Sequence, residues 1–352
     1  MTTESLRFAT ARDTAITRRT VLKGAAGGVG IGVTGALGLT AGCSSGSTIS
    51  SSTEAGAGAA AATKLDNGRV GGKVLAAVFD ASGTDDIGYV VTGSPQRLAF
   101  LLSTVQGDPI LDGPESLEFT FTKDGKAVGA PVIAARHRDG VPIGYYPVRT
   151  SFTDTGIYQA AITIDGEVLT QALQVYDPAK TKNPGVGSKL PAVDTPTVGD
   201  SRGVEPICTA KPEVCPFHTM TLREALASGR PVAYMVSTPE FCQIGVCGPV
   251  LGLLVEAAAT HPDMVFVHAE VYKDARARRG FEKAEPAEAI TAFGLTYEPA
   301  LFVTDATGTV VDRLDNVFDR AEIAAALKKA GSEPVAGGAA ATVPGTSAPT
   351  RR

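Results

Sequence analysis

A change of hydrophobic period near residue 178 constrains this chain more than any other feature. Between residues 70 and 178 apolar and polar residues alternate. In "LEFTFTKDGKAVG", Leu117, Phe119 and Phe121 precede a turn at Asp124-Gly125, and "YQAAITIDGEVLTQALQVYD" repeats the pattern around Asp165-Gly166. A period of two gives each strand one face to bury, and Asp-Gly between two such runs favours a tight hairpin. No amphipathic helix interrupts this region, so it predicts an antiparallel β-sandwich. From 201 to 330 the pattern becomes longer apolar runs alternating with helical segments. "RPVAYMVST" reads as a strand, "CGPVLGLLVEAAATH" as a helix, "DMVFVHAEVY" as a strand and "AEPAEAITAFGL" as a short helix. "EPALFVTDATGTVVDRL" reads as a hairpin turning at Thr307-Gly308, and "DRAEIAAALKKA" as a closing helix with Ile323, Ala326 and Leu327 on one face. That order predicts an α/β domain with helices on both faces of a mixed sheet, and hence a multidomain chain.

The remaining segments read as connections. Residues 44–69 and 331–352 are Ser-, Gly- and Ala-rich, with too little apolar content for a core, and are expected to be a disordered tether and tail. Residues 179–200, "AKTKNPGVGSKLPAVDTPTVGD", read as an interdomain linker. Residues 1–43 read as an address. Arg18 and Arg19 precede an uncharged, glycine-rich run too short of Leu and Ile for a permanent membrane helix. The paired arginines resemble the twin-arginine export signal, and Thr40-Ala41-Gly42-Cys43 resembles a bacterial lipobox with Thr40 where an aliphatic residue is usual. The resemblance implies a lipoprotein acylated on Cys43 and held on the extracytoplasmic face of the cell membrane; an uncleaved signal-anchor is the alternative.

Composition excludes some partners. A formal charge of -5 gives no basic surface for nucleic acid, and the absence of Trp leaves few stacking platforms. With Cys43 assigned to lipid, Cys208, Cys215, Cys242 and Cys247 remain, an even number in an oxidising compartment. Sequence proximity favours the disulfides Cys208–Cys215 and Cys242–Cys247.

Two family resemblances follow from local motifs. "DTGIY", with Asp154, Gly156 and Tyr158, resembles the tyrosine corner of immunoglobulin-like domains, although Ala160 stands where those domains have a cysteine. The span from about Met220 to Ala330 resembles a thioredoxin fold on two matches: a cysteine pair between the first long strand and its helix, and Glu298-Pro299 ahead of the strand "ALFV". The resemblance implies a cis Pro299 against the active disulfide, with the backbone of Glu298 receiving a substrate strand. It implies Cys242 and Cys247 as the redox pair, acting on extracytoplasmic protein thiols or disulfides, with no cofactor. The spacing C-x4-C is two residues longer than the family's usual C-x-x-C. Anchored on "PEFC" the attacking cysteine is Cys242; anchored on "CGP" it is Cys247, with Val250 at the resolving position. Val236 stands where the family keeps a buried acid. Independently of the resemblance, Cys247 near a helix N-terminus has the better claim to a lowered pKa, and Cys242 on the loop is the more exposed.

A second constellation, "ICTAKPEVCPFH", brings Cys208, Cys215 and His218 close in sequence. Its bland reading is a structural disulfide, Cys208–Cys215. Its sharper reading is metal, with Cys215, His218 and His268 as ligands and copper as the ion, since thiolate and imidazole suit Cu(I) or Zn(II). This resembles copper chaperones of the Sco type, although no histidine follows His268. His268 within "MVFVHAEVY" reads as a core histidine, and His137 beside Asp139-Gly140 as a solvated turn residue. The charge-mixed run from Lys273 to Glu288 reads as a solvated loop. Three functions follow: thiol-disulfide exchange at Cys242 and Cys247, a copper-binding module, or a non-catalytic binding protein with structural disulfides.

Overall fold

The alternation of residues 70–178 builds two facing sheets. The structure, a computed structural model, describes residues 69–70, 72–82, 89–242, 244–276 and 284–332. The segment 1–43 with Cys43, the tether through residue 68 and the tail from residue 333 lie outside them. One sheet joins β1 (Arg69–Val70), β2 (Lys73–Ala77), β4 (Gln96–Thr104) and β8 (Tyr146–Thr150) in that order. The other joins β3 (Val90–Val91), β10 (Glu167–Tyr176), β9 (Gly156–Ile164), β5 (Ser116–Lys123) and β6 (Lys126–Ala127), with β7 (Val132–Ala135) also on β5. Inward residues of both sheets share one core: Leu98, Phe100 and Val148 meet Phe119, Phe121, Ile162 and Leu173. Leu117, Phe119 and Phe121 are buried while their neighbours Glu118 and Thr120 are exposed, as the alternation requires. Both expected Asp-Gly turns form, with φ of 52° and 72° at Asp124 and Gly125 and 54° and 80° at Asp165 and Gly166. The Tyr158 hydroxyl donates to the Asp154 carbonyl at 2.9 Å, closing the corner that "DTGIY" suggests.

The second half is a four-stranded sheet in the order β12 (Val265–Ala269), β11 (Val232–Val236), β13 (Ala300–Thr304), β14 (Val310–Asp315). β11 runs parallel to β12 across the helix α2 (Cys247–Ala258) and antiparallel to β13, which pairs antiparallel with β14. All five residues of β11 are buried, because both faces are covered. One face packs Ala233, Met235 and Leu301 against α2 and α4 (Arg320–Lys329), where Ile323, Ala326 and Leu327 are buried as expected. The other packs Tyr234 and Phe302 against α1 (Leu222–Ala227) and α3 (Glu288–Phe293). The α1 helix begins in a capping box: Thr221 Oγ1 accepts from the Glu224 amide, and the Glu224 carboxylate accepts from the Thr221 amide.

The stretch 179–200 is a packed segment rather than a free linker. Leu190 and Val193 are buried among Val232, Tyr234 and Val310, and Leu190 donates its amide to the Gly308 carbonyl at 3.0 Å. Burial of an apolar pair outweighs the loop-like composition around it.

Strand β4 explains how the two halves meet. Its first eight residues are all buried, on both faces. Leu98, Phe100 and Leu102 enter the sandwich core, while Ala99 and Leu101 pack with Ile143 and Tyr145 against Val246 and Val317 of the α/β half. Charges cross the same boundary: Arg97 pairs with Glu322, Arg149 with Asp312, and Tyr89 donates to Asp315. His137 is no solvated turn residue, since its Nδ1 lies 2.9 Å from Asp319 Oδ1 and its backbone bridges to Tyr145. All described residues fall in one compact unit.

Candidate functional site

Two sulfur-bearing sites lie at the C-terminal end of β11. In the first, Cys242 and Cys247 form a disulfide whose Cα atoms are 5.8 Å apart, within the usual range. Cys247 is the first residue of α2 and fully buried; Cys242, on the preceding loop, is half-buried. Burial therefore leaves Cys242 as the sulfur within a partner's reach. Cys242 and Ile244 pack against the cluster of Ala99, Leu101, Ile143 and Tyr145, so the sandwich covers part of this loop. The Glu298-Pro299 peptide is cis, as the sequence suggests. The side chain of Glu298 turns inward: Oε2 accepts from the Thr238 amide at 2.5 Å and lies 3.7 Å from Cys247 Sγ. Val236, at the position expected to lack an acid, is buried among apolar residues. A carboxylate nonetheless reaches the pair, from the bend just ahead of β13.

The second site replaces the expected Cys208–Cys215 disulfide, because both cysteines are free thiols. They are 4% and 8% exposed and converge with His218 and His268, which are 1% and 0% exposed. The four ligand atoms all lie within 4.8 Å of one another. Nδ1 of His268 is 3.7 Å from Cys208 Sγ, 3.5 Å from Cys215 Sγ and 3.2 Å from His218 Nε2. Three ligand groups come from the irregular segment between Val204 and Met220, and His268 comes from β12. That joins residues 50 or more apart in sequence, a proximity no local motif discloses.

The tautomer of His268 follows from its other nitrogen. Nε2 is 3.1 Å from the Ser237 carbonyl, which can only accept, and 3.0 Å from Ser237 Oγ. Nε2 therefore carries the hydrogen, and the lone pair of Nδ1 points into the cluster. Burial holds the His268 imidazole below its ordinary pKa, favouring the neutral ring. The Cys208 thiol is drawn down, first by a hydrogen bond from Cys215 and then by the two imidazoles. The same shared hydrogen bond pushes Cys215 up. Beside them Glu270 accepts from the Thr209 amide at 2.5 Å, and burial pushes its carboxyl up to about 8.

The metal alternative read from the sequence drew on some of Cys208, Cys215, His218, His268, Cys242 and Cys247, and the structure brings the first four together. The sequence missed the side chain of Glu298. Among the described residues no helix is long and apolar enough to cross a membrane. No protein-family model matches the chain, and no curated protein matches it. Among solved structures, the chain is similar to a titin M10–obscurin-like 1 Ig complex, with 14% identity and a TM-score of 0.18 over 33% of this chain and 98% of that one.

Proposed function

We propose that residues 201–330 form a thioredoxin-like domain that exchanges disulfides through Cys242 and Cys247, carried on an immunoglobulin-like sandwich. In this reading Cys43 anchors the chain to the extracytoplasmic face of the membrane. The observation that carries the activity is the position of the Cys242–Cys247 disulfide at the start of α2, with the Glu298 carboxylate 3.7 Å from Cys247 Sγ. The strand order β12-β11-β13-β14 supports the thioredoxin-like assignment, and the Tyr158–Asp154 corner supports the immunoglobulin-like one.

The chemistry proceeds as follows. A partner thiolate attacks Cys242 Sγ, the more accessible sulfur, forming a mixed disulfide as the bond to Cys247 breaks. Cys247 leaves as a thiolate among the unpaired amides that open α2, which favour negative charge. Glu298 is placed to move a proton to or from that sulfur, taking the part of the acid absent at Val236. For release, a second thiolate of the partner attacks the partner's sulfur in the mixed disulfide and expels Cys242 as a thiolate, leaving the pair reduced. In the reducing direction Cys242 opens a partner disulfide, and Cys247, having lost its proton to Glu298, attacks Cys242 Sγ and expels the partner's sulfur as a thiolate. The net result is two-electron exchange between this pair and the partner's sulfurs.

The test is trapping. Cys247→Ser should accumulate mixed disulfides on Cys242, whereas Cys242→Ser should not. Failure of both variants and of the wild type to exchange with any extracytoplasmic thiol or disulfide would remove the proposal.

A further inference from the structure

We propose that Cys208, Cys215, His218 and His268 form a closed, four-coordinate zinc site that pins the segment 204–220 onto β12. The site lies outside the Cys242–Cys247 pair and does not depend on the exchange reading.

Geometry carries the assignment. Zn–S bonds of about 2.3 Å and Zn–N bonds of about 2.0–2.1 Å in a tetrahedron require S···N edges of about 3.6 Å and an N···N edge of about 3.3 Å. The corresponding separations here are 3.7 and 3.5 Å from His268 Nδ1 to the two sulfurs and 3.2 Å from His268 Nδ1 to His218 Nε2. Hydrogen bonding alone does not account for this convergence. The single in-plane lone pair of His268 Nδ1 accepts one directed hydrogen bond well, yet three potential donors crowd it. A cation at their centre satisfies all four atoms at once. Ser237 completes the arrangement by holding the Nε2–H of His268 and fixing the ring, the outer-shell contact that metal-bound histidines keep.

Charge selects the ion. Zn(II) with two thiolates and two neutral imidazoles carries no net charge, which suits a site where every ligand residue is under 9% exposed. Cu(I) with the same two thiolates and two neutral imidazoles would leave a net negative charge buried without a counter-charge. On binding, the thiols of Cys208 and Cys215 release two protons to solvent as two Zn–S bonds form, so affinity rises with pH. No open coordination position is left for catalysis; the ion is structural.

Full-length chain purified from medium containing both zinc and copper should hold a single zinc. Replacing zinc with Co(II) should give the intense visible d–d bands of a tetrahedral ion and a thiolate-to-cobalt charge-transfer band. Cys208→Ser/Cys215→Ser should lose the metal, while Cys242→Ser/Cys247→Ser should keep it. The cobalt spectrum of the wild type is the readout independent of whether the first double variant folds without its clip. Copper in place of zinc overturns the assignment. So does a metal-free protein whose intact mass and peptide map show Cys208 bonded to Cys215, or a cobalt adduct without the charge-transfer band.

Discussion

Arg97 of the sandwich clasps Glu322 of α4 through Nε at 2.8 Å and Nη2 at 2.5 Å, with only 3% and 6% of the two side chains exposed. Nη1 and Nη2 also donate to the carbonyls of Asp315 and Val317, so each guanidinium nitrogen has a partner. Tyr145 adds a hydroxyl that donates to Glu322 Oε2 at 2.7 Å and accepts from the Asp319 amide at 2.8 Å. Removing one partner strands the other in a buried site. Arg97→Met and Glu322→Leu should each destabilise the chain by about 3–5 kcal/mol, and the double variant by less than their sum. Urea unfolding of the three variants checks this; strictly additive losses would refute the coupling.

His137 makes the same boundary sensitive to pH. The hydrogen bond to Asp319 raises its pKa above the ordinary histidine value, with Glu322 adding and burial and Arg97 opposing. A raised folded pKa means that its contribution is fully present below the unfolded value of about 6.5 and is lost as pH rises through the folded value. Asp319 behaves oppositely. Burial raises its pKa, but hydrogen bonds from His137 and from the Glu322 and Asp139 amides hold it below the ordinary carboxylate value. Its contribution is lost only as pH falls through that depressed value. Wild-type stability should decline from pH 6 toward pH 8 by less than about 1 kcal/mol, because the His137 side chain keeps 24% of its surface in solvent, which screens the pair. His137→Gln should flatten that decline in thermal melts across the range.

Glu298 offers a kinetic test of the exchange mechanism. Glu298→Gln keeps an oxygen for the Thr238 amide but loses the group that can take a proton from Cys247. Resolution of the mixed disulfide by Cys247 should slow roughly 10²-fold at neutral pH, with the initial attack of Cys242 on the small disulfide little changed. Stopped-flow exchange with a small disulfide separates the two steps; equal slowing of both would count against Glu298 as the proton carrier.

The Tyr158 corner should contribute to the sandwich alone. Tyr158→Phe leaves the buried ring in place and removes its hydrogen bond to Asp154, which should cost about 1 kcal/mol. Denaturant midpoints with and without the substitution measure it, and the Cys242 trapping pattern should not move.

Much of the architecture was legible because it rests on local periodicity. Leu117, Phe119 and Phe121 alternate into the core, and Ile323, Ala326 and Leu327 fall on one helical face as their spacing dictates. The cis bond before Pro299 and the disulfide at the start of α2 also agreed with the resemblance. The omission of α1 was avoidable, since Thr221 and Glu224 spell its capping box. Other features were beyond reach for a physical reason. Whether Cys208 bonds Cys215 or shares a centre with His268 depends on β12 passing beneath a loop some 50 residues earlier in the chain. Compartment and proximity favour the disulfide, and only tertiary placement brings in the imidazoles. His137 and the packing of Leu190 failed likewise, because polar or loop-like surroundings in sequence hide neighbours contributed from elsewhere.

The carboxylates Asp312, Asp319 and Glu322 sit on the rim of the α/β half, while Arg149, His137 and Arg97 reach them from the sandwich. Excised from its companion, that rim would gather negative charge with few cations in reach, and β4 would bare Ala99 and Leu101 to water beside an unpaired Arg97. The halves are thus not cassettes that can be transplanted separately: whatever inherits one of them must bring the other along, or re-engineer the seam residue by residue.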